Sequence, residues 1–539
     1  MSGHVFVVGA DLTRLSCDDV LVPTDRTLRV APGWCPLLPS GVVTGHVADG
    51  ACVGLEWSGD ERVLEVPGDG DRRVWLVDTV ADSGPDGHGS LPWLLDGARQ
   101  ALAAVARRDV PRPAHGRARR LVGLPALGTG WGGAAGQRGA LLQQLLPVLR
   151  EAAAEHGFDV ALVLRGTSDL AAAQRVRRGE DTGWDLPDDL RVLAEQLGEK
   201  ARRGQLAVFF GAGVSAAAGL PTWEQLVDEL AEASGLAGEL RDGLSRLPPQ
   251  DSAALLAREL GRERLEAFVK ERFGPGSYAL AHALIADLPV QEFVTTNYDP
   301  LVEQAAADIG RRVRVLPFEE AAPGSPWLLK LHGDAAHPDS VVLTREEYLQ
   351  FGDTRAALAG VLHSLLLTRH VLFVGTSMLD DDLIRIAHQV RSALQLQGSA
   401  SGRRNGTVLA LREDGARARL WERDVETVAM GGADSSSAEA ARRLEVLLDL
   451  IGCLSTPPTG YLLDPAYRGL LDEEECDLAD ALQQTATAVQ SDSRSTAAQE
   501  VVALLRRLGH GGSAADGDDR PPDGGTAGPD DRVQEQRPG

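Results

Sequence analysis

The chain has 539 residues, 43% of them apolar, with a formal charge of −24 and a pI near 4.9. That length calls for two or three domains with cores of their own, at roughly 100–200 residues each, and excludes a single small fold. The acidic balance argues against a grip on nucleic-acid phosphates, whose binders carry their excess charge on the basic side. Five cysteines, at 17, 35, 52, 453 and 476, include no CxxC pair, which speaks against a disulfide framework or a structural zinc site and predicts a reduced, cytoplasmic protein. The N-terminus "MSGHVFVVGADLTRL" lacks a basic segment followed by a long apolar one. No apolar run approaches the ~20 residues that cross a bilayer, so no membrane is expected as a partner.

Residues 1–176 alternate strand and helix patterns: "HVFVVGADL", "RVWLVDTV", the helix "SLPWLLDGARQALAAVARR", "RRLVGLPALGTG", the helix "QRGALLQQLLPVLREAAAEHG" and "DVALVLRG". The alternation predicts an α/β layer architecture. Charge, glycine and proline in "RRGEDTGWDLP" predict a linker at 177–187. A helix from Asp188, with Leu190, Leu193, Ala194 and Leu197 on one face, opens a second α/β domain over 188–452. Its strand candidates "QLAVFFG", "QEFVTTN", "WLLKLHG", "HVLFVGT" and "GTVLALR" are nearly continuous in apolar character, as expected of a parallel, doubly wound sheet covered on both faces. Residues 453–508 read as helical without a nameable motif, and the Gly-, Pro- and Asp-rich tail 509–539 lacks the apolar content to build a core and is expected to be disordered.

The stretch "LAVFFGAGVSAAAGLPTWEQLVDELAE" (206–232) runs from a strand through Gly211, Ala212 and Gly213 into Ser215, then to a helix start marked by a Thr222–Gln225 capping box. Bare backbone N–H groups at a strand-to-helix turn suit a phosphate, and a plain turn explains the same glycines. Three further strand ends carry polar clusters: Thr295, Thr296, Asn297 and Asp299; His332 and Gly333; Gly375, Ser377 and Asp381. In an open parallel sheet ligands bind beyond the carboxyl ends of the strands, so these clusters should converge on one crevice. Singly, each has another reading: Asn297 and Asp299 as caps of a helix near Pro300, His332 as a turn histidine, Ser377 as an N-cap.

Taken in order, "GAGVSAAAGLPTW", "TTNYD", "KLHG" and "GTSMLDDDL" resemble the sirtuin (silent information regulator) family, specifically its bacterial branch found in antiphage defence proteins. The resemblance covers about 190–430. It implies a Rossmann-like NAD-binding domain with Asn297 and His332 as the catalytic pair. It also implies that Gly211, Ala212, Gly213 and Ser215 line the phosphate side, that Thr296 and Asp299 belong to the same pocket, and that Gly375 and Ser377 contact the adenosine half. Sirtuin deacylases insert a four-cysteine zinc module, whereas no cysteine lies between 53 and 452 here, which removes their substrate-docking module. The chemistry suits the residues. Nicotinamide leaves NAD as a neutral base, so cleavage asks for positioning and electrostatic support of an oxocarbenium-like state, with no demand for a metal. A neutral histidine can take a proton from a ribose hydroxyl or water, and an Asn amide can orient either. With water as acceptor the products are nicotinamide and ADP-ribose; with an acyl-lysine the enzyme is a deacylase.

In the first domain, "VVGADLTRLSCDDVLVPTD", "LVGLPALGTGWGG" and "DVALVLRGTSDLAAA" are similar to the macro domain, an ADP-ribose-binding fold. That similarity implies that Asp11 holds an adenine amino group and that Gly128, Thr129, Gly130, Gly132 and Gly133 wrap a diphosphate. The expected protein is an NAD hydrolase consuming NAD as substrate without a metal, fused to a domain sensing an ADP-ribose-like nucleotide and acting by NAD depletion in abortive infection. A deacylase or ADP-ribosyltransferase and a non-catalytic nucleotide-binding regulator are the alternatives, and a homo-oligomer is left open.

Overall fold

Alternating and continuous apolar runs build two large sheets, beside a small antiparallel pair of Val43–Thr44 with Ala51–Cys52, seen in a computed structural model that describes residues 2–39, 42–44, 51–52, 54–67, 72–80, 91–108, 113–130, 133–179, 184–378, 381–396, 404–489 and 495–511. The first sheet contains β1 Val5–Gly9, β2 Asp19–Thr24, β3 Val63–Val66, β4 Arg73–Asp78, β5 Leu121–Pro125 and β6 Asp159–Leu164, ordered β1-β6-β5-β2-β4-β3. All neighbours are parallel except β3, which runs antiparallel to β4. Because successive side chains of a strand point to opposite faces, Val5 and Val7 pack with the helices Leu91–Arg107 and Arg138–His156, while Phe6 and Val8 turn the other way.

The second sheet contains β7 Leu206–Phe210, β8 Glu292–Thr295, β9 Arg314–Leu316, β10 Trp327–Lys330, β11 His370–Val374, β12 Gly406–Arg412 and β13 Val425–Gly431, ordered β9-β10-β8-β7-β11-β12-β13 and parallel throughout. The five expected strands are present, and the edges β9 and β13 join them. Neither edge has a continuous apolar signature: β9 has three half-buried residues and β13 includes an exposed Glu426. Phe6 and Val8 of the first sheet share one apolar core with Leu206, Val208, Phe210 and Phe293 of the second.

Helix Ser437–Ser455 is the hub between the lobes. It packs along helix Asp188–Arg202, and its buried polar side chains reach the first lobe: Arg442 to Asp159 at 2.8 Å, Glu445 to Arg117 at 2.9 Å, and Asp449 to Arg177 at 2.7 Å and His4 at 2.8 Å. Buried charges persist where paired in this way. Two boundaries differ from the sequence reading. Helix Thr167–Gly179 takes up residues 177–179 of the expected linker, with Arg177 meeting Asp449 from its last turn, and the hub helix runs past 452 to Ser455. The C-terminal helices Glu473–Ala488 and Thr496–Arg507 follow a segment that doubles back onto the first lobe, where the Tyr467 hydroxyl donates to Asp169 at 2.5 Å. Residues 509–511 form a turn, and the remainder of the expected disordered tail, 512–539, lies outside the described residues. Among the described residues no helix is long and apolar enough to cross a membrane.

A second bridge between the lobes is helix Leu280–Asp287. The Asp287 carboxylate is buried and accepts from the Gly9 N–H at 2.6 Å, and burial pushes its carboxyl up to about 8 against the opposing pull of that N–H and of Arg311. The folded protein therefore holds a proton that the unfolded chain, at the ordinary 3.8, releases. The stability carried by this group is whole below its unfolded value and is lost as pH rises through about 8. Asp287→Asn keeps an acceptor for Gly9 and is expected to flatten that decline, as read from urea midpoints at the two ends of the window. An unchanged slope would show that Asp287 titrates normally.

Candidate functional site

Strand register sets the level of the expected pair. Thr295 of β8 stands opposite Lys330 of β10, so Asn297 and His332 each lie two residues beyond the same rung on adjacent strands. On the other side of β8, Thr295 pairs with Phe210 of β7, which pairs with Val374 of β11. The four polar strand ends therefore meet along one edge of the sheet in the order β10, β8, β7, β11, as a carboxyl-end crevice requires. A cavity of about 280 Å³, lined by Lys200, His370, Arg404, Thr407 and Glu426, lies at the opposite, amino ends of β7, β11 and β12.

Ser215 gathers the centre of the site. Its Oγ receives the Asn297 amide Nδ2 at 3.0 Å, donates to Asp299 Oδ2 at 2.8 Å, and lies 3.2 Å from His282 Nε2. With Nδ2 committed to Ser215, the carbonyl oxygen of Asn297 is the atom left to accept from a substrate hydroxyl or a water. The turn is braced from below: Thr295 Oγ1 donates to the Phe210 carbonyl at 2.8 Å and accepts from the Asn297 N–H at 3.0 Å. Thr296 between them is half-buried. Asp299 also accepts at 3.2 Å from the N–H of Leu301, the first residue of helix Leu301–Asp308, while holding Ser215. His332 is buried, its ring edge-on to Tyr348 at 5.2 Å with Nδ1 3.5 Å from the Tyr348 hydroxyl.

Under this floor lies Lys330, fully buried. Its Nζ reaches Glu303 and Asp334 at 2.8 Å each and donates to the carbonyls of Asp299 at 2.8 Å and Tyr298 at 3.2 Å. Burial alone would push the ammonium down, yet Glu303 and Asp334 outweigh it and hold it above its ordinary value. Burial raises Glu303 in turn. Sequence reasoning passed over Lys330, although a lysine inside a buried parallel strand is itself a signal, since lysines are almost never fully buried unless paired. His282 gave a weaker one, a lone histidine in an apolar helix.

The glycines serve close approach as well as exposure. A Cβ on Gly213 would stand 2.7 Å from the Gly375 carbonyl oxygen and 2.9 Å from its Cα, and Gly375 itself has φ +64° with its Cβ position 2.6 Å from the Val214 nitrogen. Gly211 and Gly213 both donate into the β11 end, to Val374 and Gly375 at 3.0 and 2.9 Å. Ala212 and Gly213 are exposed, whereas Gly211 is buried. A branched side chain at 213 would thus collide first with protein backbone. Ser377 is exposed, and its carbonyl accepts from Arg417 at 3.1 Å. The side chain of Asp381 lies outside the described residues.

In the first lobe, Asp11 and the 128–133 loop follow β1 and β5 and share an edge with Arg165 after β6. The Asp11 carboxylate is already engaged, by the Thr13 N–H at 2.9 Å, the Thr13 hydroxyl at 2.8 Å and Arg165, and its backbone N–H donates to the Tyr278 hydroxyl at 2.8 Å. Gly128 and Gly133 take φ of +82° and +80°, which favours glycine, and a Cβ on Gly130 would meet nothing within 4 Å. Thr129 folds back onto the Ala126 carbonyl at 2.8 Å, and Gly132 lies outside the described residues. Among the described residues no group of three or more His, Cys, Asp or Glu side chains is arranged to hold a metal ion.

Residues 291–427, from β8 to β13, match the family model of the SIR2-like domain. The matched segment lies within the second lobe. The chain is 29% identical over 219 residues to the NAD(+) hydrolase ThsA of Cytobacillus dafuensis, across 40% of this chain and 43% of that protein. It is 31% identical over 216 residues to the NAD(+) hydrolase ThsA of Enterococcus faecium, across 38% and 44%. It is 26% identical over 217 residues to Defense-associated sirtuin 2 of Bacillus subtilis, across 38% of this chain and 21% of that protein. The match thus spans less than half the length of each relative.

Proposed function

We propose that this protein is a sirtuin-like NAD hydrolase, cleaving the nicotinamide–ribose bond and passing the ribosyl centre to water. The observation that carries the reading is the pairing of Asn297, its carbonyl oxygen turned away from Ser215, with His332 at the same level of the adjacent strand. In this reading the exposed turn at Ala212 receives the diphosphate, the Gly213 N–H being given to the Gly375 carbonyl, while the Asn297 oxygen orients a ribose hydroxyl or the attacking water and His332 accepts the proton. The positive charge of the leaving pyridinium is discharged as the bond breaks, so the residues need supply only position and electrostatic support. Relatives named NAD(+) hydrolase and a defence-associated sirtuin favour water as acceptor and a role in antiphage defence by NAD depletion.

The first lobe is read as a pocket for an ADP-ribose-like nucleotide, with the 128–133 loop as the diphosphate cradle; Asp11 Oδ1 already accepts twice from Thr13, so an adenine contact at Asp11 would fall to Oδ2, beside Arg165. The test incubates the intact purified protein with NAD, with and without an acetylated peptide. Free ADP-ribose with nicotinamide, independent of peptide, is expected; acetyl-ADP-ribose would make it a deacylase, and absence of turnover would leave a binding regulator. Calorimetry of the Asn297→Ala protein with ADP-ribose should find two sites, and a single site would remove the nucleotide role from the first lobe.

A further inference from the structure

We propose that His282 is a positioning residue for this reaction: as a neutral imidazole protonated on Nε2, it fixes the Ser215 hydroxyl and thereby the face that Asn297 presents to NAD. The assignment follows from counting donors and acceptors. The Ala279 N–H can only donate, and it points at His282 Nδ1 at 3.2 Å, so Nδ1 carries a lone pair and the proton sits on Nε2. Nε2–H then donates to Ser215 Oγ at 3.2 Å. A hydroxyl has one proton and two lone pairs. As a carboxylate, Asp299 can only accept, so it takes the Ser215 proton at 2.8 Å, and the two lone pairs are filled by His282 Nε2–H and Asn297 Nδ2–H. Every valence of Ser215 is used, and no other proton arrangement satisfies all four groups. An amide flip at Asn297 would set its oxygen against a Ser215 lone pair.

The surroundings keep this arrangement. His282 is fully buried, and burial lowers its pKa, opposed by the nearby Asp299 carboxylate. A second proton on the ring would face the Ala279 N–H. His282 touches none of the atoms expected to react, so its effect passes through Ser215 to Asn297. The inference rests on the proposed NAD cleavage for its kinetic consequence, while the tautomer itself does not.

Two substitutions separate the ring nitrogens. His282→Asn retains an acceptor near the Ala279 N–H and falls short of Ser215; His282→Gln extends an N–H donor toward Ser215. Nicotinamide release should drop ~10²-fold in kcat for His282→Asn, the size of effect expected from a misplaced reacting group, with KM for NAD nearly unchanged. His282→Gln should recover most of that rate, and His282→Asn added to Ser215→Ala should cost nothing further. Equal losses in Asn and Gln variants of equal melting temperature, or full additivity with Ser215→Ala, would overturn the proposal. The tautomer is read without turnover from the nitrogen shifts of ring-labelled histidine, assigned to His282 by its disappearance in His282→Gln. A proton on Nε2 supports the assignment and a proton on Nδ1 overturns it, even in a protein that releases no nicotinamide.

Discussion

Asn297→Ala and His332→Ala should each reduce nicotinamide release by ~10²–10⁴-fold while NAD still binds, because general-base and orienting contributions act on the reacting centre and the proposed diphosphate contact lies elsewhere, at the loop after β7. The two losses should combine to far less than their product, since an amide that orients a hydroxyl is of little use once the base that takes its proton is gone. Both side chains are buried, Asn297 to 7% exposure and His332 to 3%, so each variant needs its melting temperature beside its rate. His332→Ala also removes the ring contact with Tyr348. A His332→Ala protein that is folded and fully active would end the catalytic assignment. Gly213→Val is a poor probe of phosphate binding by comparison, because its side chain meets the Gly375 backbone before it meets a ligand.

Lys330→Met should be the most damaging single change to stability in the second lobe. Removing the ammonium strands Glu303 and Asp334 in the interior and leaves the Tyr298 and Asp299 carbonyls without this donor. Breaking a buried ion pair from one side costs about 3–5 kcal/mol, a large share of the roughly 5–15 kcal/mol that holds a domain together. The same four contacts join the end of β10, the Asn297–Asp299 turn and helix Leu301–Asp308, so NAD binding should disappear along with the fold. Urea unfolding of the variant, alone and combined with Glu303→Gln, is the measurement. The second substitution should return part of the loss by removing one stranded charge, and a Lys330→Met midpoint equal to that of the parent would refute this account.

Much of the site was legible in the chain. Asn297, Asp299 and His332 stand immediately after apolar runs that can only be buried strands, and parallel topology sends the ends of neighbouring strands to one edge, so their convergence follows from local pattern and a general rule of α/β sheets. The Thr222–Gln225 capping box formed as read, since it depends on residues three apart. Contacts between distant segments were beyond that reach. Nothing near residue 215 announces that His282 will complete the valence of its hydroxyl, and nothing near 330 says which carboxylates will neutralise the lysine. Nor does local pattern reveal that the 437–455 helix ties the two lobes with buried ion pairs, or that the C-terminal segment returns to the first lobe. Apolar periodicity is a property of neighbours along the chain, and by itself it determined the strands, their burial and the polar ends they expose. Which polar group satisfies which is decided by three-dimensional proximity alone, and here that choice orients Asn297, charges Lys330 and joins the two sheets through one core.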